Sequence, residues 1–332
     1  MTDLSTSWLG LDLRGPLVVG ASPMADDADL ARRLVDAGAG AIVMRSLFEE
    51  QLVAEELALH RYFDHSVDTN AEARSFLPAT DAAASGSGPY LAQLGRLRDA
   101  VDVPVVASLN GTTAGGWTRH AIELEDAGAS AVELNLYEVA TQLDETGAEV
   151  EARQLEVVQA VVDAIDVPVA VKLSPFYASV PSFVARIAIT GAAGVVMFNR
   201  FYQPDVDLET LDVDRTLVLS TPAELPLRLH ALALLHSRLG LSLASSGGVH
   251  HGTDAAKAIL CGADAVQLVS ALLPDPVNRL TRIAGELHTW LDEQGYRDLG
   301  EARGATSFGN VADPAAWERL NYSRILQGWR PR

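Results

Sequence analysis

Short apolar runs alternate with amphipathic stretches along most of the chain, and the alternation carries a repeated phrase. Asp36-Ala-Gly-Ala39 precedes Ala41-Ile-Val-Met-Arg45, and Asp126-Ala-Gly-Ala129 precedes Ala131-Val-Glu-Leu-Asn135. Thr190-Gly-Ala-Ala193 precedes Gly194-Val-Val-Met-Phe198, and Cys261-Gly-Ala-Asp264 precedes Ala265-Val-Gln-Leu-Val269. Each phrase reads as a helix closed by glycine, which takes the left-handed conformation at a helix end. A β-branched strand follows at once through a short αβ loop. A second phrase alternates with the first. Asp102-Val-Pro-Val105 and Asp166-Val-Pro-Val169 open two further strands, and proline at a strand's first residue removes no ladder hydrogen bond.

The pattern predicts eight strands, at about 16–22, 41–46, 104–110, 131–137, 168–174, 194–200, 242–248 and 265–271. Helical stretches at about 27–37, 90–100, 117–127, 151–164, 180–190, 224–239 and 253–261 separate nearly all of them. Near-continuous apolar strands alternating with amphipathic helices describe a parallel sheet covered on its faces. Eight such units predict a (β/α)8 barrel. No linker divides the 332 residues, so one domain over 1–332 is expected, with insertions at 47–88, 137–150 and 200–223 on the C-terminal face.

Composition narrows the function classes. The chain is 48% hydrophobic, with a net charge of −19. That balance argues against nucleic acid, whose phosphates need a basic stripe, and against an anionic membrane surface. Cys261 is the single cysteine, so no internal disulfide forms and no CxxC zinc cluster exists. The N-terminal stretch has no signal-peptide pattern, and no apolar run reaches the ~20 residues of a membrane helix. A cytoplasmic protein is expected.

The active site of such a barrel lies at the C-terminal ends of its strands. Those ends read Ala21-Ser22, Arg45-Ser46, Asn110-Gly111, Asn135 to Tyr137, Lys172, Asn199-Arg200, Ser245-Ser-Gly-Gly248 and Ser270-Ala271. A lone asparagine there is often a turn former. Three asparagines, a lysine and an arginine on one rim point to a binding site. After the seventh strand, Gly247 and Gly248 would let backbone N–H groups approach an anion, with a helix N-terminus behind them. Gly247, Gly248 and Ser270 therefore form a candidate phosphate grip.

Lys172 and Lys257 are the only lysines among 25 lysines and arginines. Lys172 lies within the apolar run Pro168-Val-Ala-Val-Lys-Leu-Ser-Pro175. Lysine is a compact charge whose protonation responds to burial, whereas arginine is a fixed planar fork. A flavin mononucleotide (FMN) fits this rim. Its phosphate would sit at the seventh and eighth strands, and Lys172 would lie beside the ring, where reduced flavin is anionic. The other readings of Lys172 are a structural ion pair inside the barrel or the nucleophile of a Schiff-base aldolase.

Several stretches carry a family resemblance: Val171-Lys-Leu-Ser-Pro-Phe176, Glu133-Leu-Asn-Leu136, Ala107-Ser-Leu-Asn-Gly111, Ser246-Gly-Gly-Val249 and Cys261-Gly-Ala-Asp-Ala-Val-Gln267. Over residues 8–325 the chain resembles class 1 dihydroorotate dehydrogenases. Through Asn199-Arg-Phe-Tyr-Gln-Pro-Asp-Val-Asp-Leu208 it is most similar to the dihydroorotate dehydrogenase-like subgroup. The resemblance implies an FMN-binding barrel, usually a homodimer, oxidising a small cyclic substrate. It implies flavin contacts from Ala21, Ser22, Arg45, Ser46, Asn110, Asn135, Lys172, Asn199, Gly247, Gly248, Ser270 and Ala271. Arg45 stands where the family has a lysine.

The substrate side departs from that pattern. The family's cysteine base follows the fourth strand in an Asn-Leu-Ser-Cys-Pro-Asn motif, and here the stretch reads Asn135-Leu-Tyr-Glu-Val-Ala140. Glu138 takes the place of the cysteine as candidate base. Ala140 and Ala79 replace substrate asparagines, and Arg200 replaces a serine. Asn135 and Asn199 remain as substrate contacts, with Tyr137 and Arg200 new. Tyr177 and Tyr202 line the pocket or pack its loops. Cys261, before the eighth strand, lies at the wrong end of the barrel to act as base. The expected activity is a dihydroorotate dehydrogenase-like oxidation of CH–CH groups with altered substrate recognition. A non-catalytic flavoprotein or a redox-complex subunit is the competing expectation.

Overall fold

The computed structural model describes residues 2–49, 86–111, 114–200, 204–214, 216–318 and 326–328. Ala79 and Tyr202 lie outside these residues. A hairpin of β1 (Thr6–Trp8) and β2 (Leu11–Leu13) opens the chain. Eight parallel strands then close a barrel. They are β3 (Leu17–Ser22), β4 (Ala41–Phe48), β5 (Val105–Asn110), β6 (Ala131–Asn135), β7 (Val169–Leu173), β8 (Gly194–Met197), β11 (Ser242–Ser246) and β12 (Ala265–Leu268). Their order round the barrel is β11-β12-β3-β4-β5-β6-β7-β8, so the expected (β/α)8 architecture is observed. Between β8 and β11 a small exposed hairpin pairs β9 (Asp205–Asp207) with β10 (Asp212–Asp214).

Helices cover the outside: α1 (Ala28–Asp36), α2 (Gly88–Ala100), α3 (Ala114–Asp126), α4 (Gly147–Val162), α5 (Val180–Ile189), α6 (Leu225–Leu235), α7 (Gly252–Leu260) and α8 (Pro276–Gln294). Local chemistry sets their ends. The Asp27 carboxylate accepts from Asp29 N and Leu30 N to start α1, as a good N-cap does. Thr146 and Glu149 form a capping box at α4. Each helix turns an apolar stripe inward, as with Ala31, Leu34 and Val35 of α1. Among the described residues, no helix is long and apolar enough to cross a membrane.

Side chains alternate inward and outward along each strand, so the barrel interior is built in layers. The lowest layer is small and apolar: Val18, Ala41, Val43, Val106, Ala131, Ala170, Val196, Ala244 and Ala265. The β1–β2 hairpin closes this end, with Trp8, Leu9 and Leu13 packed into the same cluster. Its turn uses Leu9 and Gly10 at φ 58° and 76°, the conformation a tight hairpin favours. Two residues further along the strands, the inward positions become polar: Ser108, Glu133, Lys172 and Gln267. The barrel thus changes from apolar to polar toward the strands' C-terminal ends.

β6, β7, β8, β11 and β12 stop earlier than the apolar pattern predicts, whereas β4 runs on to Phe48. β8 ends at Met197 and β11 at Ser246, so Asn199, Gly247 and Gly248 lie in the turns beyond them. Those residues leave the ladder to face the barrel mouth. β4 carries one extra residue relative to β5, since Val43 pairs with Val106 and Ser46 with Ser108. That bulge changes which side chain faces inward.

Candidate active site

A cavity of about 260 Å³ opens at the C-terminal mouth of the barrel. Ala21, Ser22, Lys172, Asn199, Arg200, Gly247, Gly248 and Ser270 all line it, together with Gln267 and Ser220. The turn after β11 shapes one wall. Gly247 and Gly248 hold φ +90° and +81°, and a Cβ on Gly248 would meet Leu225 N at 2.6 Å. The chain thus runs against the first residue of α6 in a conformation that suits glycine. Beneath it, the buried Arg228 donates to Ser246 O at 3.0 Å and to Glu224 O at 2.9 Å. Burial pulls the pKa of this guanidinium down.

The helix expected behind the glycine pair was the one after β11. Its first turn is instead closed on itself, with His250 N and His251 N both donating to Asp254. The N-terminus that touches the glycines belongs to α6.

Lys172 is 5% exposed, while Glu133 and Gln267 are 0% and 1% exposed. Lys172 Nζ donates to Glu133 Oε1 at 3.2 Å and to Gln267 Oε1 at 3.0 Å. Gln267 Nε2 donates to Glu133 Oε2, which closes a three-membered ring. An ion pair inside the barrel was one reading of Lys172, and it is present. Lys172 also faces the cavity, so the pair does not exclude a role there.

A second set of contacts crosses the floor of the mouth. Ser46 Oγ and Ser108 Oγ lie 2.8 Å apart, Asn135 Nδ2 donates to Ser46 Oγ at 3.4 Å, and Asn199 Nδ2 donates to Asn135 Oδ1 at 2.8 Å. This relay joins β4, β5, β6 and the turn after β8. Asn110 lines a separate recess of about 220 Å³ with Tyr137, Glu138, Arg153 and Gln154. There Glu138 Oε1 accepts from Arg153, and its Oε2 accepts from Gln154 at 3.3 Å. Arg153 also holds Glu145, and the hydrogen bonds from its guanidinium to Glu145 and Glu138 push its pKa up.

Not every predicted residue reaches the cavity. Arg45 is an exposed side chain paired with Asp26 at 3.0 Å, carried to the rim where the β4 bulge interrupts the inward alternation. Ala271 is buried behind Ser270 in the chain and is not part of the cavity wall. Arg200 reaches the cavity with its guanidinium bound to Glu224 at 2.6 Å. Tyr177 stacks on Phe183 of α5 at 4.3 Å and donates to Gln154 of α4 at 2.9 Å, so it packs its loop onto two helices and does not line this cavity. Burial pushes the Cys261 thiol up to about 11, which fits a core residue.

Three participants were missing from the sequence reading. Glu133 and Gln267 were visible as polar residues inside the apolar runs Ala131-Val-Glu and Ala265-Val-Gln. Ser220 had no such signal. It enters the mouth from the β10–α6 connection, where its N–H donates to Ser270 Oγ at 3.1 Å and its carbonyl accepts from His250 at 2.8 Å.

The wall suits FMN on its own chemistry. Ser22 lines the cavity, and its buried Oγ has no hydrogen-bond partner among the described residues; such orphaned groups call for a ligand or water. The glycine turn brings backbone close on one side, and a lysine supplies positive charge on the other.

The comparisons with known proteins agree. The family model described as dihydroorotate dehydrogenase matches residues 3–291. The catalytic subunit of dihydroorotate dehydrogenase B (NAD(+)) from Desulforudis audaxviator is 27% identical over 304 residues, covering 89% of this chain and 95% of the relative. The protein of the same name from Methanosarcina acetivorans is 27% identical over 297 residues, covering 87% and 92%. That from Bacillus thuringiensis is 30% identical over 209 residues, covering 61% and 67%. With its closed barrel and flavin-compatible mouth, the chain belongs to the dihydroorotate dehydrogenase family of FMN-dependent oxidoreductases that act on CH–CH groups.

Proposed function

We propose that this chain oxidises a CH–CH bond of a small, cyclic, dihydropyrimidine-like substrate, in chemistry of the pyrimidine-biosynthesis type. Bound FMN would supply the hydride acceptor. The observation that carries the reading is one cavity lined by Lys172, Ser22, the Gly247–Gly248 turn and Ser270. Gly247, Gly248 and Ser270 would hold the phosphate, with Ser220 added to them. Lys172 would face the ring and stabilise the negative charge of its reduced form. Asn135 and Asn199, locked to each other, would present amide groups to the substrate, with Tyr137 and Arg200 at its edge. A single domain over 1–332, a homodimer and a cytoplasmic location complete the reading.

Glu138 is the proposed base. Glu138 lines the separate recess rather than the cavity itself. Each of its oxygens accepts one hydrogen bond, from Arg153 or Gln154, which leaves a lone pair on each for a proton. The substrate has to reach from the cavity into that recess. Purified protein should be yellow, should release FMN on denaturation, and should bleach anaerobically with one member of a screen of dihydroorotate, other dihydropyrimidines and cyclic acids. Colourless protein that takes up no FMN would refute the flavin reading. With the active substrate, Glu138→Gln should slow flavin reduction about 10²–10⁴-fold, the usual loss for a general base, at unchanged FMN content. A loss under about threefold would make Glu138 a loop contact.

The engaged state of Glu138 and the replaced substrate contacts favour a second reading, a flavoprotein subunit of a redox complex that oxidises no dihydropyrimidine itself. The relatives are named as catalytic subunits. Failure of every substrate to bleach a fully loaded flavin supports this reading. A Schiff-base aldolase is less well supported, because Lys172 Nζ is held between Glu133 and Gln267, whereas a nucleophilic amine has to aim its lone pair at a carbonyl in the cavity.

A further inference from the structure

We propose that Glu133 and Gln267 are positioning residues that set how much positive charge Lys172 presents to the flavin, and so set the flavin's reduction potential. The proposal rests on the flavin reading above and goes beyond it. The three side chains project inward two residues beyond Ala131, Ala170 and Ala265, which belong to the apolar layer of the barrel. Each of the three bonds the other two. An ammonium has three donors. Two are committed within the ring, and one is left on a side chain that lines the cavity. Gln267 also lines the cavity, whereas the fully buried Glu133 does not. A flavin in the cavity would therefore meet the lysine and the amide directly, and the carboxylate only through its field.

Structural bracing does not account for the ring. A buried ion pair is commonly no more stabilising than apolar side chains of the same volume, and the layer below shows that this barrel interior accepts apolar packing. What the ring provides is a charge held in one place and partly offset. The Glu133 carboxylate reduces the field of Lys172 at the cavity. The Gln267 amide donates to that carboxylate and thereby turns its own oxygen toward the ammonium, so Nζ has one stable position. Full lysine charge would hold reduced flavin too firmly for easy reoxidation. No charge would make reduction by the substrate harder.

The test is an anaerobic spectroelectrochemical titration of the FMN-loaded wild-type protein, Glu133→Gln, and the double variant Lys172→Met with Glu133→Gln. Removing the carboxylate alone should favour reduced over oxidised flavin about tenfold, which raises a two-electron potential by about 30 mV. Removing both charges should shift the potential the other way, below wild type. Should Glu133→Gln fail to fold with a lone buried ammonium, the double variant is compared with Lys172→Met, and equal potentials in those two would show that the carboxylate exerts no field at the flavin and overturn the proposal. Potentials that coincide with wild type would overturn the proposal and leave the ring a brace. Absence of bound FMN in wild type would overturn the flavin reading, and this proposal with it. Bound FMN with unmoved potentials would overturn the proposal alone.

Discussion

Alanine at position 248 probes whether the close approach of the β11 turn to α6 is what holds the flavin cavity in shape. Two costs arise. The first is conformational. Gly248 sits at φ +81°, and a left-handed position costs an L-residue about 1–2 kcal/mol. The second is steric. The added Cβ would lie 2.6 Å from Leu225 N and 2.9 Å from Leu225 Cα. These are backbone atoms at the start of a helix and cannot rotate away, and such overpacking costs about 1–3 kcal/mol. The sum is about 2–5 kcal/mol. Gly10 separates the two costs. It holds a similar φ of +76°, and its Cβ would meet nothing within 4 Å. Gly10→Ala should therefore show only the first, about 1–2 kcal/mol. Urea unfolding of apo proteins gives both stabilities, and FMN titration gives the cavity's response. Gly248→Ala should lose at least about 1 kcal/mol more than Gly10→Ala and weaken FMN binding about tenfold or more, whereas Gly10→Ala should bind FMN as wild type does. Equal losses in the two variants, with equal FMN affinity, would refute the reasoning.

Two further outcomes follow from burial. His236 has its pKa lowered, chiefly by burial, so the unfolded chain binds the proton more tightly than the folded protein. Stability should fall as pH drops through the ordinary histidine value of about 6.5 and level off once the folded imidazole also protonates. Urea midpoints between pH 7.5 and 5.5 should show the slope, and His236→Gln should flatten it. Carboxylates such as Asp292, lowered by hydrogen bonding from Thr2, act only at lower pH. With its thiol pushed up to about 11, Cys261 should react slowly with a maleimide or disulfide reagent in the native protein at pH 8 and immediately after denaturation. Fast native labelling would contradict its burial.

The barrel was legible because its signals are local. A glycine closing a helix and a β-branched run beginning three residues later can both be read within a dozen residues, and their recurrence implies the closed sheet. The mouth was legible to the extent that inward parity holds up to the strand's end, as for Lys172 and the residues leading into the glycine turn. Bulges are what local pattern hides, in β3 between Val19 and Ser22 and in β4 between Val43 and Ser46. The bulge in β4 moves Arg45 out to Asp26, and nothing in Ala41-Ile-Val-Met-Arg-Ser46 announces an extra residue. Ser220 could not be found because its partners Ser270 and His250 are 30 or more residues away. The Glu133–Lys172–Gln267 ring was half visible. Lys172 stands out by rarity, while Glu133 and Gln267 are common residue types inside apolar runs. All three stand two residues beyond an inward alanine, Ala131, Ala170 and Ala265.

The N-terminal hairpin has a consequence for how the chain reaches this fold. Its apolar side chains meet every part of the barrel floor, but hydrogen bonds from it and from the residue leading into it reach the far end of the sequence. Thr2 bonds Asp292 and Tyr296, Thr6 bonds Asp264 O, and Leu9 N donates to Ser242 Oγ at 3.0 Å. During synthesis Leu9 emerges 233 residues before its hydrogen-bond partner Ser242. The base of the barrel is therefore sealed late, by contacts of very high sequence separation, which are the slow ones in folding. Until then the apolar cluster around Trp8 and Leu9 lacks Ala244 and Ala265 of the last two strands, and at that stage the nascent protein is most exposed to aggregation.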